Sequence, residues 1–314
     1  MPKKKDDIKS EDSLSTEYHI PVLLNETIDG LAIKPDGVYV DCTFGGGGHS
    51  AAILSKLNAK GRLYAFDQDE DAKRNVPDDK RVIFIQQNFR HIQRFLRLEN
   101  VQKVDGILAD LGVSSHQFNE ADRGFSIRYN ADMDMRMDRR QSVTAFDIVQ
   151  QYAETKLHKL FEQYGEVTNS KTLAKTIVSI RNSVSLKTID GFKNALREVV
   201  KGNPNKYFAQ VFQALRMEVN EEVQVLKEML EQSVVLLNPG GRLAVITFHS
   251  IEDRLVKNFF KEGSFEEVVD NPFTNIKREE VFKVITKKPL IANQEEVGKN
   301  SRSRSAKLRV AERK

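Results

Sequence analysis

The sequence predicts an α/β protein in which a mostly parallel sheet carries an inserted all-helical domain, and three observations predict it. From Tyr18 onward, short apolar runs alternate with helical patterns, as parallel strands joined by crossover helices require. That alternation stops after Asp110, and from Ser142 to about Lys201 the pattern is helical throughout. It resumes after a long helix at Glu221 to Leu237, with a strand that ends at His249.

Taken in order, residues 1–17 are charged and almost without apolar groups, and are expected as a disordered leader. Strands are expected at Val38 to Cys42, Arg62 to Phe66, Val82 to Gln86, Val104 to Ala109 and Arg242 to Phe248, with helices at His49 to Leu57 and Phe89 to Leu98. In the helical stretch, Ser142 and Thr188 stand where helices start, and Gly165 and Gly202 where they stop. Ile189, Phe192, Leu196 and Val199 fall three and four apart and make one apolar stripe, with Lys193, Arg197 and Lys201 off it. Asp132 to Arg140 alternates charge with methionine at period two, an extended segment with the methionines inward. Arg136 at a ligand position, and the missing glycine, exclude a calcium loop there. Val281 to Lys287 and Ala306 to Ala311 fit an antiparallel closing pair. The expected division is a sheet domain of residues 18–117 and 208–314, and an insertion of residues 118–207.

Composition narrows the class. No apolar run approaches the length that spans a bilayer, and the N-terminus has no secretion-signal pattern, so a soluble cytoplasmic protein is expected. The single cysteine, Cys42, excludes an internal disulfide and a cysteine-based zinc site, and reads as a small buried hydrophobe. Net charge is only +4, yet it is unevenly spread: Lys171 to Lys206 holds eight basic residues against Asp190 and Glu198, and Lys299 to Lys314 holds seven against Glu312. Both segments are suited to phosphate, although a lone lysine on a helix is more often just a solvated face.

Asp41-Cys42-Thr43-Phe44-Gly45-Gly46-Gly47-Gly48-His49 closes the first strand and opens the first helix, so bare backbone and free N–H groups can meet a ligand there. Asp67, at the end of the second strand, is placed to accept the ribose hydroxyls of a nucleoside. The pattern specifies a nucleoside cofactor without saying which: Gly46-x-Gly48-x-x-Ala51 also satisfies the dinucleotide fingerprint of an NAD-dependent dehydrogenase. The third strand ends in Gln87-Asn88-Phe89, the fourth in Asp110-Leu111-Gly112-Val113-Ser114-Ser115-His116-Gln117, and the fifth in Thr247-Phe248-His249-Ser250. In a parallel sheet all these ends share one edge, where ligands bind. The histidines alone make a poor metal site, because no carboxylates stand at ligand spacing, and no metal is expected. No G-x-S-x-G elbow of a hydrolase occurs.

Four segments together, His19-Ile20-Pro21-Val22-Leu23-Leu24, Asp41 to Ser50, Asp110 to Gln117 and Phe248-His249-Ser250-Ile251-Glu252-Asp253, resemble the bacterial RsmH (MraW) family. Arg123-Gly124-Phe125-Ser126, Asp134 to Asp138, Gln213-Ala214-Leu215-Arg216 and the Asn300 to Arg313 tail extend the resemblance over nearly the whole chain after Tyr18. Two departures are a glycine at Gly46, where relatives often carry a larger residue, and a short segment between Phe260 and Val281. The resemblance implies a Rossmann-like class I methyltransferase sheet, S-adenosylmethionine as donor, and methylation of the N4 amine of a decoding-region cytidine in 16S ribosomal RNA of the small subunit. Carried over by motif position, it implies cofactor contacts at Gly47, Gly48, His49, Asp67, Phe89, Asp110 and Gln117. It leaves the acceptor of the N4 proton open among Asp110, the Leu111 carbonyl, Ser114, Ser115 and His249. RNA contacts are expected from Arg139, Arg140, Lys193, Arg197, Lys201, Arg302 and Arg304. A non-catalytic ribosome-assembly factor is the other alternative, and a homodimer stays open.

Overall fold

The computed structural model describes residues 21–266 and 280–314; the leader, the His19-Ile20 dipeptide and most of the short segment after Phe260 lie outside them. Seven strands form one sheet: β1 Val38–Asp41, β2 Arg62–Phe66, β3 Val82–Ile85, β4 Val104–Asp110, β5 Leu237–Thr247, β6 Phe282–Val284 and β7 Lys307–Arg313. Their spatial order is β3-β2-β1-β4-β5-β7-β6. The first five are parallel, and β7 runs antiparallel between β5 and β6, the closing pair expected from the sequence. The order reverses at β1, which pairs with β2 on one side and β4 on the other, so a crevice opens above the ends of these strands.

The central strands are apolar on both sides because helices cover both faces. On one face Tyr39, Leu63, Leu108, Ala244, Ile246, Leu308 and Val310 pack with α1 (Leu24–Leu31) and α2 (Gly48–Lys56). Their strand neighbours Val40, Tyr64, Ile107, Leu243, Val245 and Ala311 pack on the other face, with α3 (Ile92–Leu98) and helices that follow the insertion. This alternation at period two makes a three-layer, Rossmann-like α/β architecture.

After β4, a short helix α4 (Ser115–Asn119) leads into the insertion: α5 (Ala145–Gln151), α6 (Glu154–Gln163), α7 (Ser170–Ile180), α8 (Ile189–Ala195) and α9 (Pro204–Val219). These helices share a core with Phe125, Met133, Met135 and Met137 that is separate from those of the sheet. The methionine face of Asp132 to Arg140 is inward as the alternation predicts, while Asp134 and Asp138 pair outward with Arg136 and Arg140. Three local expectations are corrected. The first cap is Thr144, not Ser142, because Thr144 and Asp147 form a reciprocal capping box. The Ile189 helix ends at Ala195 and continues as a 3-10 turn over Arg197–Val199, although Ile189, Phe192 and Leu196 are all fully buried. The boundary at residue 207 falls inside α9, whose Tyr207, Phe208, Val211, Phe212 and Leu215 belong to the helical core, so the chain packed there runs to Val219. The long helix α10 (Glu222–Leu236) and α11 (Ser250–Glu262) then return to the sheet, and α12 (Gln294–Lys299) precedes β7.

Candidate functional site

The first wall of the crevice is the glycine loop. Gly45 and Gly47 take φ of +49° and +77°, conformations that side chains resist. Gly47 caps α2 without any side-chain bond, leaving the N–H groups of its first turn facing the crevice. Gly48 serves packing: a Cβ there would lie 2.2 Å from Pro21 Cγ. Gly46 faces open space, with nothing within 4 Å of a built Cβ, so a larger residue fits there.

Asp67 ties the loop to β2. Its Oδ2 accepts the Gly45 N–H at 2.8 Å and its Oδ1 accepts the Asp69 N–H at 2.8 Å. Burial outweighs both bonds and pushes the carboxyl up to about 6. Each oxygen keeps a lone pair for a further donor. Phe89 opens a 3-10 turn capped by Asn88 after β3, half-buried against the α3 face of the sheet. The turn that carries it starts at the same strand-end edge.

Three acidic and basic groups meet at the floor. Asp41 is buried and accepts Ser50 Oγ at 2.7 Å and the Thr43 N–H at 3.0 Å. His49, buried at the start of α2, has its Nε2 3.0 Å from the Val22 carbonyl. A carbonyl only accepts, so Nε2 carries the hydrogen and Nδ1 faces Asp110 Oδ2 at 3.7 Å. Thr43 Oγ1 accepts the Asp110 N–H at 2.7 Å. Asp110 Oδ1 is buried with no hydrogen-bond partner among the described residues. Burial, then the charges of Asp41 and Glu252, hold the Asp110 carboxyl well above the usual carboxylate range. An acceptor poised in this way suits an incoming donor group.

The remaining candidates have other partners. Ser114 caps α4 by accepting the Gln117 N–H, and Gln117 returns its Oε1 to the Ser114 N–H. Gln117 Nε2 donates to Asp69 Oδ2 at 2.7 Å, so this buried amide braces the crevice wall. The side chain of Ser115 lies outside the described residues. Asp69 also receives Arg123 Nη1 at 2.8 Å, and Arg123, 3% exposed, donates through Nη2 to the carbonyls of Arg136 and Met137. This buried cross-link joins the end of β2 to the insertion. Arg123 stands in the quoted Arg123-Gly124-Phe125-Ser126 segment, but nothing local in the sequence connects it to Asp69.

His249 caps α11: Nδ1 accepts the Glu252 N–H at 3.4 Å and Nε2 lies 3.1 Å from Glu252 Oε1. Burial raises the Glu252 carboxyl, but the His249 bond and charge, the Phe248 N–H and Arg216 outweigh it and leave it low. Glu222 joins them, and one ligand atom from each of Glu222, His249 and Glu252 lies within 4.8 Å of the others. The fold thus supplies the carboxylates that the linear spacing lacks. Arg216 occupies both Glu222 oxygens at 2.8 and 2.9 Å, which makes the cluster an ion-pair network at the end of β5. Nδ1 is thus spent on the cap, so Nε2 carries the hydrogen; it is buried and close to Glu252 Oε1 yet makes no hydrogen bond among the described residues, so the ring offers no free acceptor.

The basic candidates are scattered over the surface. Arg139 is exposed and Arg140 pairs with Asp138, while Arg197 pairs with Glu198 and Lys201 is exposed. Lys193 Nζ donates to the Ile127 carbonyl at 3.1 Å, beside Asp190. Arg304 is exposed on the Ser301–Ser305 turn, and Arg302 on the same turn reaches α4. No described helix is long and apolar enough to cross a membrane.

The sequence profile of the MraW methylase family matches residues 16–314. The chain is 50% identical over 298 residues to the Ribosomal RNA small subunit methyltransferase H of Bacteroides thetaiotaomicron, covering 95% of this chain and 98% of that one. Against the protein of the same name from Flavobacterium psychrophilum the identity is 52% over 293 residues, covering 93% and 100%. A putative rRNA-methylase structure from Clostridium thermocellum aligns at 14% identity with a TM-score of 0.43, covering 94% of this chain and 99% of that one.

Proposed function

The chain belongs to the MraW methylase family, and from that premise we propose that it methylates the N4 amine of one decoding-region cytidine in 16S ribosomal RNA. Membership of a methylase family makes S-adenosylmethionine its methyl donor, and the RNA class follows its half-identical relatives over nearly their full length. The observation that carries the reading is the crevice: an uncapped helix N-terminus, Asp67 with spare lone pairs, and the unpartnered Asp110 Oδ1 converge on one sheet edge. That set fits a nucleoside cofactor with a charged amino-acid arm. The dehydrogenase alternative shares the loop but not the family.

In this reading the cofactor supplies a methyl group already activated on a sulfonium sulfur. Gly48 and His49 would present backbone N–H groups to its carboxylate from the turn that Gly47 closes by donating its own N–H to the Phe44 carbonyl at 2.7 Å. Asp67 would accept the ribose hydroxyls, and Phe89 would lie against the base. Asp110 and Gln117 close the site, with Gln117 held ready by Ser114 and Asp69. The N4 lone pair of cytosine is delocalised, so alignment does most of the work, together with an oxygen that holds the N4 proton as the nitrogen becomes tetrahedral. With Asp110 turned to the donor, the Leu111 carbonyl suits that task best, because Ser114 and His249 are engaged in caps. The base must leave its stack to reach it. The insertion and the basic tail are the parts that hold the strand.

The deciding assay incubates the protein with labelled S-adenosylmethionine and small ribosomal subunits lacking the modification. One labelled cytidine, released on digestion as the N4-methyl nucleoside, is expected. Binding without transfer would make the protein an assembly factor, and label on another base or position would overturn the N4 assignment.

A further inference from the structure

We propose that Arg128 and Arg302, gathered on the ring of Phe118 at the mouth of the crevice, clamp the phosphate backbone of the RNA strand that delivers the target base. The inference rests on the ribosomal RNA reading above and names residues that would perform it.

Placement comes first. Phe118 lies in α4, which hangs from the Asp110 to Ser114 loop at the ligand edge of the sheet. Because β7 is antiparallel to β5, its first residue, Lys307, pairs with Thr247, the last of β5. The Ser301–Ser305 turn just before β7 therefore sits at that same edge. From there Arg302 places its Cζ 5.2 Å from the Phe118 ring centre and donates Nη2 to Asn119 Oδ1 at 3.0 Å. From the insertion side, Arg128 Cζ stands 5.8 Å from the same ring. Lys193 Nζ is bonded to the carbonyl of Ile127, one residue away. Three cations about 65 and 109 residues apart in sequence thus meet on one loop beside the crevice.

Charge and shape then indicate the partner. Arg128 is exposed and has no carboxylate within ion-pair distance among the described residues, so its charge is unspent. Contact with an aromatic face restrains a guanidinium without consuming its N–H groups, so the Arg128 fork stays available for phosphate oxygens, while Arg302, with Nη2 given to Asn119, adds charge at the same ring. The adjacent Tyr129 is 46% exposed, which leaves its ring accessible beside Arg128. Planar cations interleaved with aromatic rings are the composition that grips single-stranded nucleic acid, with phosphates on the cations and bases on the rings. A strand held here would run from the insertion to the tail across the opening of the crevice.

The competing explanation is a strut that merely fastens the tail to α4, and a binding measurement separates the two. Steady-state methyl transfer to unmodified small subunits is compared for the wild type, Arg128→Ala, Arg128→Lys and Arg302→Ala. The clamp predicts a five- to tenfold rise in KM for subunits in each alanine variant, with kcat within twofold and S-adenosylhomocysteine affinity unchanged. The log–log salt dependence of subunit binding should flatten by about one phosphate contact, roughly 0.7 to 1 in slope. Arg128→Lys should restore that slope and part of the KM, since it keeps the charge and loses the planar fork. Unmoved KM and slope in both alanine variants would overturn the clamp, whatever happens to their melting temperatures. A wild type that fails to bind subunits would sink the RNA reading and this inference with it; a wild type that binds beside unmoved variants would sink this inference alone.

Discussion

At the residue scale, the site depends on buried acids whose ionisation the fold resists. Asp67 is the clearest case, because its carboxyl is held near 6 rather than near 4 by burial. A carboxyl raised in the folded state favours folding most when protonated. Its contribution is fully present below the unfolded value near 4 and lost as the pH rises through about 6. The ligand-free protein should therefore lose up to about 3 kcal/mol from this group between pH 4 and 7. Urea unfolding of Asp67→Asn across that range should lack the loss. Donor affinity should move oppositely, rising through about pH 6 as the carboxylate forms. Asp67→Ala should weaken S-adenosylhomocysteine binding about 10- to 100-fold by calorimetry, the scale of hydrogen bonds to a charged acceptor. Unchanged affinity would remove Asp67 from the ribose site. Asp67 is legible in the sequence because strand, glycine turn and acid follow each other closely; the raised carboxyl is not, since it arises from burial by the whole fold.

At the scale of elements, the junction between sheet and insertion is a buried cross-link rather than an apolar seam. Arg123 binds Asp69 on one side and two carbonyls of the methionine segment on the other, and Asn220 accepts the Met137 N–H while donating to the Met135 carbonyl. Arg123→Ala should strand Asp69 without its cation and cost about 3–5 kcal/mol in denaturant unfolding. A loss below about 1 kcal/mol would show that Gln117 alone satisfies Asp69. The helices themselves are legible from caps and periodicity, but their ends depend on partners. Thr144 wins over Ser142 because Asp147 stands three residues after it to complete the box. The break after Ala195 has no comparable mark in the sequence, since the stripe Ile189, Phe192 and Leu196 continues into the core across it.

At the scale of the whole molecule, a parallel sheet collects chemistry from distant segments at one edge, and the insertion adds a second body beside it. If the basic face of the α8 region carries RNA, replacing Lys193, Arg197 and Lys201 together should flatten the salt dependence of subunit binding by about 2 in slope. An unchanged slope would return these residues to a solvated surface. Lys193 pairs with Asp190 and bonds the Ile127 carbonyl, and Arg197 pairs with its neighbour Glu198, so the largest single share of any effect should come from Lys201.

The sequence by itself determined the chain order of strands and helices, the interruption of the strand pattern after Asp110, and the family. Each rests on local pattern: apolar runs, caps, the glycine turn at Gly45 to Gly48, and motifs read residue by residue. Only the tertiary structure decided which candidates stand free at the edge. It turned His249 toward Glu252, assigned Gln117 to Asp69, and left Asp110 Oδ1 without a partner among the described residues. It also carried α9 into the helical core and brought Arg128 and Arg302 to one ring. Apart from His249, which caps its own helix, the physical reason is that a side chain's partners at the sheet edge lie far away in sequence, as Gln117 from Asp69 and Arg302 from Asn119, where no local periodicity records them.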